Sequence, residues 1–279
     1  MSTSNRSYKS YSFLKHGKVY QLLEKVFHEF SITYYLIGAN ARDVQLYKSG
    51  IDPIRMTADI DFAITINEIE VYDQICERLL SLGFTKSNER YRLYYKHTNT
   101  VLDLIPYGEI EKGRMVSFSD VNLDISVLGF MEVGKHIELV SVKEEGFIIP
   151  TTPLEGIFIL KLIAWNEKRH RLKDIEDLAF LIKHGWDFYE EEAYKNHLDI
   201  FEMDDFNTIH ASARILGRKM RPILMENEEL LKNIDKILDT AVRPKEKLSE
   251  PELTVSKVLK NSINETQLIL TAIRNGIYD

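Results

Sequence analysis

The first clear pattern in the chain is an apolar stripe at helical spacing. It is formed by Val19, Leu22, Leu23, Val26 and Phe27. This spacing places the five side chains on one face and predicts an amphipathic helix over residues 18–30. A short aromatic and apolar run over residues 33–37 then predicts a buried strand, and the glycine after it allows a second helix over residues 39–47.

Residues 58–66 show the alternation of a β-strand. The two faces are Asp59, Asp61 and Ala63 on one side and Ile60, Phe62 and Ile64 on the other. Because successive side chains of a strand point to opposite faces, one face is expected to join the core while the other carries two acids. The preceding residues 49–57 contain a glycine and a proline and are expected to form a loop.

The rest of the chain divides into a mixed part and a helical part. The predicted elements are a helix over 68–82, a hairpin of strands 91–96 and 100–106, strands over 137–142 and 146–149, and helices over 153–165 and 173–183. From residue 189 onward the periodicity is helical, with an exposed loop expected over 243–251. We therefore predict an α+β protein, with a mixed-sheet domain over residues 1–190 and a helical bundle over residues 191–279.

The composition narrows the class of protein. With 279 residues, of which 44% are apolar, the chain can bury a large core. The single cysteine, Cys76, excludes an internal disulfide, and no apolar run reaches the roughly 18–20 residues that cross a bilayer. Residues 1–12 are polar and lack the apolar core of a secretory signal. We expect a cytoplasmic protein with no membrane partner.

The charge is acidic overall but basic in one place. A net charge of −7 argues against a broad basic surface that coats nucleic acid, although it does not exclude RNA. Five basic residues cluster in one short stretch: Lys161, Lys168, Arg169, Arg171 and Lys173. A local positive site within an acidic protein suits the binding of a triphosphate.

Three acids on predicted strands are the strongest chemical signal. Asp59 and Asp61 share one face of a strand, and Asp103 lies between apolar neighbours of another. Carboxylates are preferred ligands of Mg²⁺, and three of them suit two-metal phosphoryl chemistry. Asp59 and Asp61 alone also fit a solvated strand edge. Asp103 alone also fits a structural ion pair, since an unpaired buried carboxylate is costly. Together they favour a metal site in which all three acids are ligands and catalytic residues.

Phosphate contacts are predicted close to these acids. Gly38, Ala39 and Asn40 connect a strand to a helix, a geometry that directs backbone N–H groups and the positive end of the helix at an anion. Arg55 and Thr57 directly precede the acidic strand, where Arg55 is placed to reach a phosphate and Thr57 to anchor the loop. An ordinary turn glycine, a surface arginine and a strand-start threonine fit the same positions.

A lysine interrupts the apolar helix predicted over residues 153–165. The ammonium of Lys161 either reaches solvent or points into a site, and we predict that it points into the site. Asp174 and Asp177 either position Lys161 or Arg169 through ion pairs or interact with the dipole of their own helix. We predict a functional role for Asp174.

Three stretches of this sequence resemble the nucleotidyltransferase superfamily. They are Ile37-Gly38-Ala39-Asn40-Ala41-Arg42-Asp43, Arg55-Met56-Thr57-Ala58-Asp59-Ile60-Asp61-Phe62 and Leu102-Asp103-Leu104-Ile105-Pro106. Within the superfamily the chain is similar to the bacterial AbiEii-like group, whose better-known members are toxins of toxin–antitoxin and phage-defence systems. Lys161-Leu162-Ile163-Ala164, Arg169 and Lys173-Asp174 resemble the lysine and arginine-lysine-aspartate motifs of that group.

The resemblance implies a polymerase-beta-like sheet, a two-ion Mg²⁺ site at Asp59, Asp61 and Asp103, and NTP binding by the Gly38 turn and Lys161. It also implies a cognate antitoxin as a partner. One departure is Ala39, which stands where the superfamily usually has serine and removes a hydroxyl that would bond a phosphate oxygen.

The function that follows is Mg²⁺-dependent transfer of a nucleoside monophosphate from an NTP to an acceptor hydroxyl. The residues leave the acceptor open between a tRNA or other RNA, a protein and a small molecule such as an antibiotic. Two other interpretations remain: an NTP-binding regulatory protein with weak catalysis, and an interaction protein whose acids are structural.

Overall fold

The computed structural model describes residues 13–53, 57, 59–142, 147–168, 170–202, 206–242 and 250–279. The chain divides between Pro153 and Leu154 into two compact units. No helix in the described residues is long and apolar enough to cross a membrane.

The first unit contains the helices and strands of a mixed α+β domain. In chain order they are α1 Phe13–Glu29, β1 Tyr34–Ile37, α2 Gly38–Lys48, β2 Asp59–Thr65, α3 Ile69–Ser81, β3 Phe84–Lys86, β4 Arg92–Tyr95, β5 Thr100–Tyr107, β6 Met115–Phe118, β7 Leu123–Ser126, α4 Phe130–Gly134, β8 Glu138–Val142 and β9 Phe147–Thr151. These bounds confirm the helices and strands that the sequence predicted here. They add β3, β6, β7 and α4, which are too short to show a repeat.

Seven of these strands form one mixed sheet. Their order is β3-β4-β5-β2-β1-β9-β8, and β6 and β7 form a separate hairpin. The central strands β2 and β5 are parallel, whereas β1 is antiparallel to β2 and β4 is antiparallel to β5. The predicted hairpin of β4 and β5 is confirmed, with Tyr95 opposite Thr100.

An aromatic cluster fixes which face of β2 joins the core. The ring of Phe62 on β2 lies 5.9 Å from that of Phe27 on α1 and 5.6 Å from that of Tyr34 on β1, measured between centroids. Burial of these rings is a large apolar contribution to the stability of the unit. Because side chains alternate along a strand, the odd-numbered acids Asp59 and Asp61 lie on the opposite face.

The second unit is helical throughout its described residues. Its elements are α5 Leu154–Glu167, α6 Leu172–Lys183, α7 Gly185–Asn196, a 3₁₀ helix Leu198–Glu202, α8 Thr208–Leu224, α9 Glu228–Val242, α10 Glu250–Leu259 and α11 Ile263–Tyr278. Helices α8 and α11 cross so closely that a β-carbon on Gly217 would lie 2.0 Å from the carbonyl oxygen of Ile273. The loop predicted over residues 243–251 lies outside the described residues up to 249, and α10 begins at Glu250.

The division between the units lies earlier in the chain than the boundary expected near residue 190. Helices α5 and α6 pack on the C-terminal helices α8, α9 and α10 and therefore belong to the second unit. The physical reason is the composition of α5, whose apolar residues surround the helix rather than forming one stripe. Such a helix must be covered on several sides, which makes it part of a helical core.

Candidate active site

The centre of the sheet brings two of the predicted acids side by side. Asp61 on β2 and Asp103 on β5 are partners in the parallel register, and Asp59 lies two residues earlier on β2. Asp59 and Asp61 are partly exposed, whereas Asp103 is buried. Partners on neighbouring strands share a face, so the acids form one group on one face of β2 and β5.

The turn at Gly38 lies directly against this group. Gly38 has a φ of +68°, and a β-carbon built on it would lie 2.5 Å from Oδ2 of Asp61. A glycine is therefore required here both by the left-handed backbone and by the carboxylate beside it. Because Gly38 is the first residue of α2, the positive end of that helix lies next to Asp61.

Asn40 connects α2 to the acidic strand. Its side chain is fully buried, and Nδ2 donates a hydrogen bond of 2.6 Å to the backbone carbonyl of Asp59. The hydroxyl of Tyr20 donates to Oδ1 of Asn40 at 3.4 Å. Burial raises the pKa of Tyr20, and the carboxylates of Asp43 and Asp61 raise it further. These contacts give Asn40 a positioning role at the start of β2, while its predicted part in binding phosphate stays a prediction.

Arg92 on β4 binds Asp103 with both ends of its guanidinium. Nε donates to Oδ1 and the terminal nitrogen to Oδ2, each at 2.7 Å. The side chain of Asp103 is 9% exposed and that of Arg92 is 26% exposed. The hydrogen bond to Asp103 raises the pKa of Arg92 despite the partial burial of its guanidinium. Asp103 and Arg92 therefore form a bidentate ion pair, which is the strongest common form of charged hydrogen bond.

This pair bears on the predicted metal site. Within the described part of the chain, no group of three or more histidine, cysteine or acidic side chains is arranged to hold a metal ion. The donor chemistry and partial exposure of Asp59 and Asp61 fit Mg²⁺. The oxygens of Asp103 do not fit it in this arrangement, because both already accept from Arg92. The assignment of all three acids as ligands remains a prediction.

Lys161 lies in a buried ion-pair cluster of the second unit. Its Nζ lies 3.0 Å from Oδ1 of Asp174 and 2.8 Å from Oδ2 of Asp177. Arg171 approaches the other oxygen of Asp174 at 2.6 Å. The two acids thus position Lys161, which is one of the two roles that the sequence left open for them. The cluster pairs two positive with two negative charges, so these contacts give Lys161 a structural role, while its predicted role in NTP binding stays a prediction.

The remaining predicted phosphate contacts have different positions. Arg55 lies outside the described residues, as does Arg169. Thr57 is partly exposed two residues before Asp59, and Ala39 is partly exposed in the first turn of α2.

Arg92 and Arg171 contact the predicted site residues. The sequence marked Arg171 only as one of five clustered basic residues, and it did not mark Arg92 as a candidate. A signal for Arg92 was present in the hairpin. Once Tyr95 is paired with Thr100, counting outward along both antiparallel strands places Arg92 opposite Asp103. For Arg171 the signal was its spacing of three residues from Asp174, the separation at which residues of one helical turn meet.

Comparison with known proteins identifies the family. Residues 47–233, more than half of the chain, match the family model described as nucleotidyl transferase AbiEii toxin, type IV TA system. The matched segment includes Asp59, Asp61, Asp103 and Lys161 and begins after the Gly38 turn. No curated protein matches the chain.

Two solved structures show weak likeness. The antibiotic-resistance factor ANT(2'')-Ia is 15% identical, with 66% of this chain and 94% of that chain covered and a TM-score of 0.37. A tRNA-processing enzyme in an apo form is 16% identical, with 92% of this chain and 79% of that chain covered and a TM-score of 0.28. Structural likeness this weak does not identify a family, whereas the family model matches more than half of the chain. The protein is a nucleotidyltransferase and belongs to the AbiEii nucleotidyl transferase toxin family.

Proposed function

We propose that this protein transfers a nucleoside monophosphate from a Mg²⁺-bound NTP to a hydroxyl group of an RNA acceptor and releases pyrophosphate, with tRNA as the first candidate acceptor. The observation that supports the proposal is the register of Asp61 with Asp103, with Asp59 on the same face of β2. Three carboxylates on one face of a parallel strand pair suit phosphoryl transfer, because like charges this close repel one another and a bound divalent cation would offset that repulsion.

Asp59 and Asp61 are the residues that would hold the divalent cation. When bound, Mg²⁺ supplies charge neutralisation for the triphosphate and a lower pKa for the attacking hydroxyl. Asp103 is the proposed acceptor of the proton from that hydroxyl, a role that requires Arg92 to release at least one of its carboxylate oxygens. The first backbone N–H groups of α2, beside Asp61, donate to the phosphate oxygens.

Further contacts to the nucleotide are proposed on the basis of the sequence. Arg55, Thr57 and Lys161 are candidates for the phosphates, and Asp174 orients Lys161 through the observed ion pair. A cognate antitoxin protein is the second proposed partner, since the family belongs to toxin–antitoxin systems.

The experiment is transfer of label from α-³²P-NTP. The protein is incubated with Mg²⁺, each of the four labelled NTPs in turn, and a bacterial cell extract. The products are then divided by RNase and protease treatment and by size. We expect a labelled RNA of tRNA size that RNase removes. Label that protease removes, or label in the small-molecule fraction, would assign a different acceptor.

Two variants make the result specific to the site. Asp61→Asn should abolish labelling in all fractions. Asp124→Asn is the matched control, because Asp124 is an exposed strand acid of the same unit on β7, and it should label like the wild type. Equal labelling by wild type and Asp61→Asn would contradict the proposed active site.

A second candidate is an NTP-binding protein with weak catalysis. It is favoured by Ala39 in place of the usual serine and by the engagement of Asp103 with Arg92. Nucleotide binding by calorimetry without transfer to any fraction of the extract would support this candidate over the first.

A further inference from the structure

A row of aligned residues crosses the sheet at the active site. Arg92 on β4 is opposite Asp103 on β5, Asp103 is opposite Asp61 on β2, and Asp61 is opposite Ile37 on β1. Since partners in register share a face, Asp103 lies between a positive neighbour on one side and a negative neighbour on the other. Arg92 is thus a cation that the fold itself supplies to the acidic group.

The contacts make Arg92 a direct competitor for any ion that binds Asp103. Both carboxylate oxygens accept from the guanidinium at 2.7 Å. A divalent cation needs at least one of these oxygens, and Arg92 repels a second cation placed there. Asp59 and Asp61 lie on β2, which β5 separates from the strand of Arg92. A divalent cation therefore meets stronger competition from Arg92 at Asp103 on β5 than at Asp59 and Asp61 on β2.

The arrangement also allows Arg92 to leave. Its side chain is 26% exposed, whereas that of Asp103 is 9% exposed. The guanidinium carbon lies 5.9 Å from the ring centroid of Tyr91, a neighbour that can support it when displaced from the carboxylate. A partly exposed arginine exchanges rotamers far more readily than a fully buried one.

We propose that Arg92 is an internal counter-cation that holds Asp103 in the unloaded protein and competes with divalent cations for it. The unloaded protein then binds a divalent cation weakly, through Asp59 and Asp61. Asp103 becomes available to a cation only when Arg92 releases it. This inference rests on the proposed function, because it presumes that Asp59 and Asp61 form the cation site.

The test is the affinity for Mn²⁺ in the absence of nucleotide, measured from the electron paramagnetic resonance signal of free Mn²⁺ during titration. Arg92→Met keeps the bulk of the side chain and removes its charge. We expect this variant to bind Mn²⁺ roughly tenfold more tightly than the wild type, which corresponds to about 1.4 kcal/mol. Asp103→Asn alone should change the affinity little, and the double variant Arg92→Met with Asp103→Asn should lose the gain.

Arg90→Met is the matched control for Arg92→Met. Arg90 pairs with the carboxylates of Asp73 and Asp120, neither of which belongs to the acidic group. The Mn²⁺ affinity of Arg90→Met should equal that of the wild type. Circular dichroism checks that each variant is folded. If Arg92→Met is not folded, Arg92→Lys is used in its place. That variant keeps the charge but cannot bind both oxygens, so its affinity should also exceed the wild-type value.

Two results would overturn the inference. One is Mn²⁺ binding by Arg92→Met or Arg92→Lys that is no tighter than by the wild type. The other is a loss of affinity in Asp103→Asn as large as that in Asp61→Asn. If the wild type binds Mn²⁺ and Asp61→Asn does not, either of these two results rejects the role of Arg92 but leaves the proposed metal site standing. If neither the wild type nor any variant binds Mn²⁺, the proposed metal site fails as well.

Discussion

Gly38 and Asp61 lie so close together that no larger residue than glycine fits at the turn. A β-carbon on Gly38 would be 2.5 Å from Oδ2 of Asp61, well inside the contact distance of two unbonded atoms. The turn and the acidic strand are therefore fitted to one another, and the position of the Asp61 carboxylate depends on the absence of a side chain at residue 38.

The first prediction is that Gly38→Ala loses transfer activity by about a hundredfold or more, because a displaced carboxylate misplaces the reacting groups. Gly50→Ala is the control. Gly50 has a similar φ of +71°, but nothing lies within 4 Å of the position that a β-carbon would take there. Both variants should lose about 1–2 kcal/mol of stability from the positive φ. Only Gly38→Ala should lose labelling of the acceptor. Equal labelling by the two variants would show that the Gly38 turn has no part in the active site.

The second prediction concerns Asn40, which donates to the backbone carbonyl of Asp59. Asn40→Ala leaves that carbonyl without this donor and should lower the free energy of unfolding by about 1–3 kcal/mol. It should also reduce transfer, because the start of β2 is no longer held to α2. Urea denaturation and single-turnover labelling measure the two effects.

Asn207→Ala is the control for general destabilisation. Asn207 caps α8 in the second unit through the backbone N–H groups of Ile209 and His210. Its loss should cost about 1 kcal/mol of stability. Transfer should be unchanged at a temperature where both variants are folded. A similar fall in transfer in both variants would mean that stability alone explains the effect of Asn40→Ala.

The third prediction is that Lys161→Ala destabilises the protein by about 3–5 kcal/mol. Its removal takes away the cation that the buried carboxylates of Asp174 and Asp177 share, and breaking a buried ion pair by removing one partner is costly. Lys195→Ala is the control, since its pair with Glu191 is exposed and should contribute at most about 1 kcal/mol. Equilibrium unfolding in urea measures both. An unchanged stability together with a raised KM for NTP would instead support the phosphate contact that the sequence predicted.

The sequence predicts the strands of this protein better than it predicts the partners of its buried charged side chains. The alternation around Asp59 and Asp61 predicted β2 and the face of its acids, because that pattern depends only on neighbours along the chain. The partner of Asp103 depends on the register of the hairpin, which one residue of slip would change. The partners of Lys161 lie on the next helix, whereas the sequence shows only a lysine within an apolar helix and leaves open what its ammonium contacts.

The position of the domain boundary also depends on contacts between residues that are distant in the sequence. Periodicity identified α5 and α6 as helices, but it contains no information about which neighbours cover them. Both pack on the C-terminal helices. The short elements β3, β6 and β7 were missed because three or four residues do not establish an alternation, and their pairing with other strands holds them in place.

The last prediction is that Asp103→Asn retains binding of Mg²⁺ and NTP but loses transfer by about a hundredfold or more. In the proposed assignment, Asp59 and Asp61 on β2 hold the cation without Asp103, whose two carboxylate oxygens accept from Arg92. The amide keeps the size and one oxygen of the side chain, but it removes the negative charge that takes the proton from the acceptor hydroxyl. Calorimetry with a non-hydrolysable NTP and Mg²⁺ measures binding, and single-turnover labelling measures chemistry, with Asp124→Asn as the control for loss of a strand acid. If Asp103→Asn loses nucleotide affinity as severely as Asp59→Ala, the three acids act as one binding site, and if it transfers normally, Asp103 has no part in the chemistry.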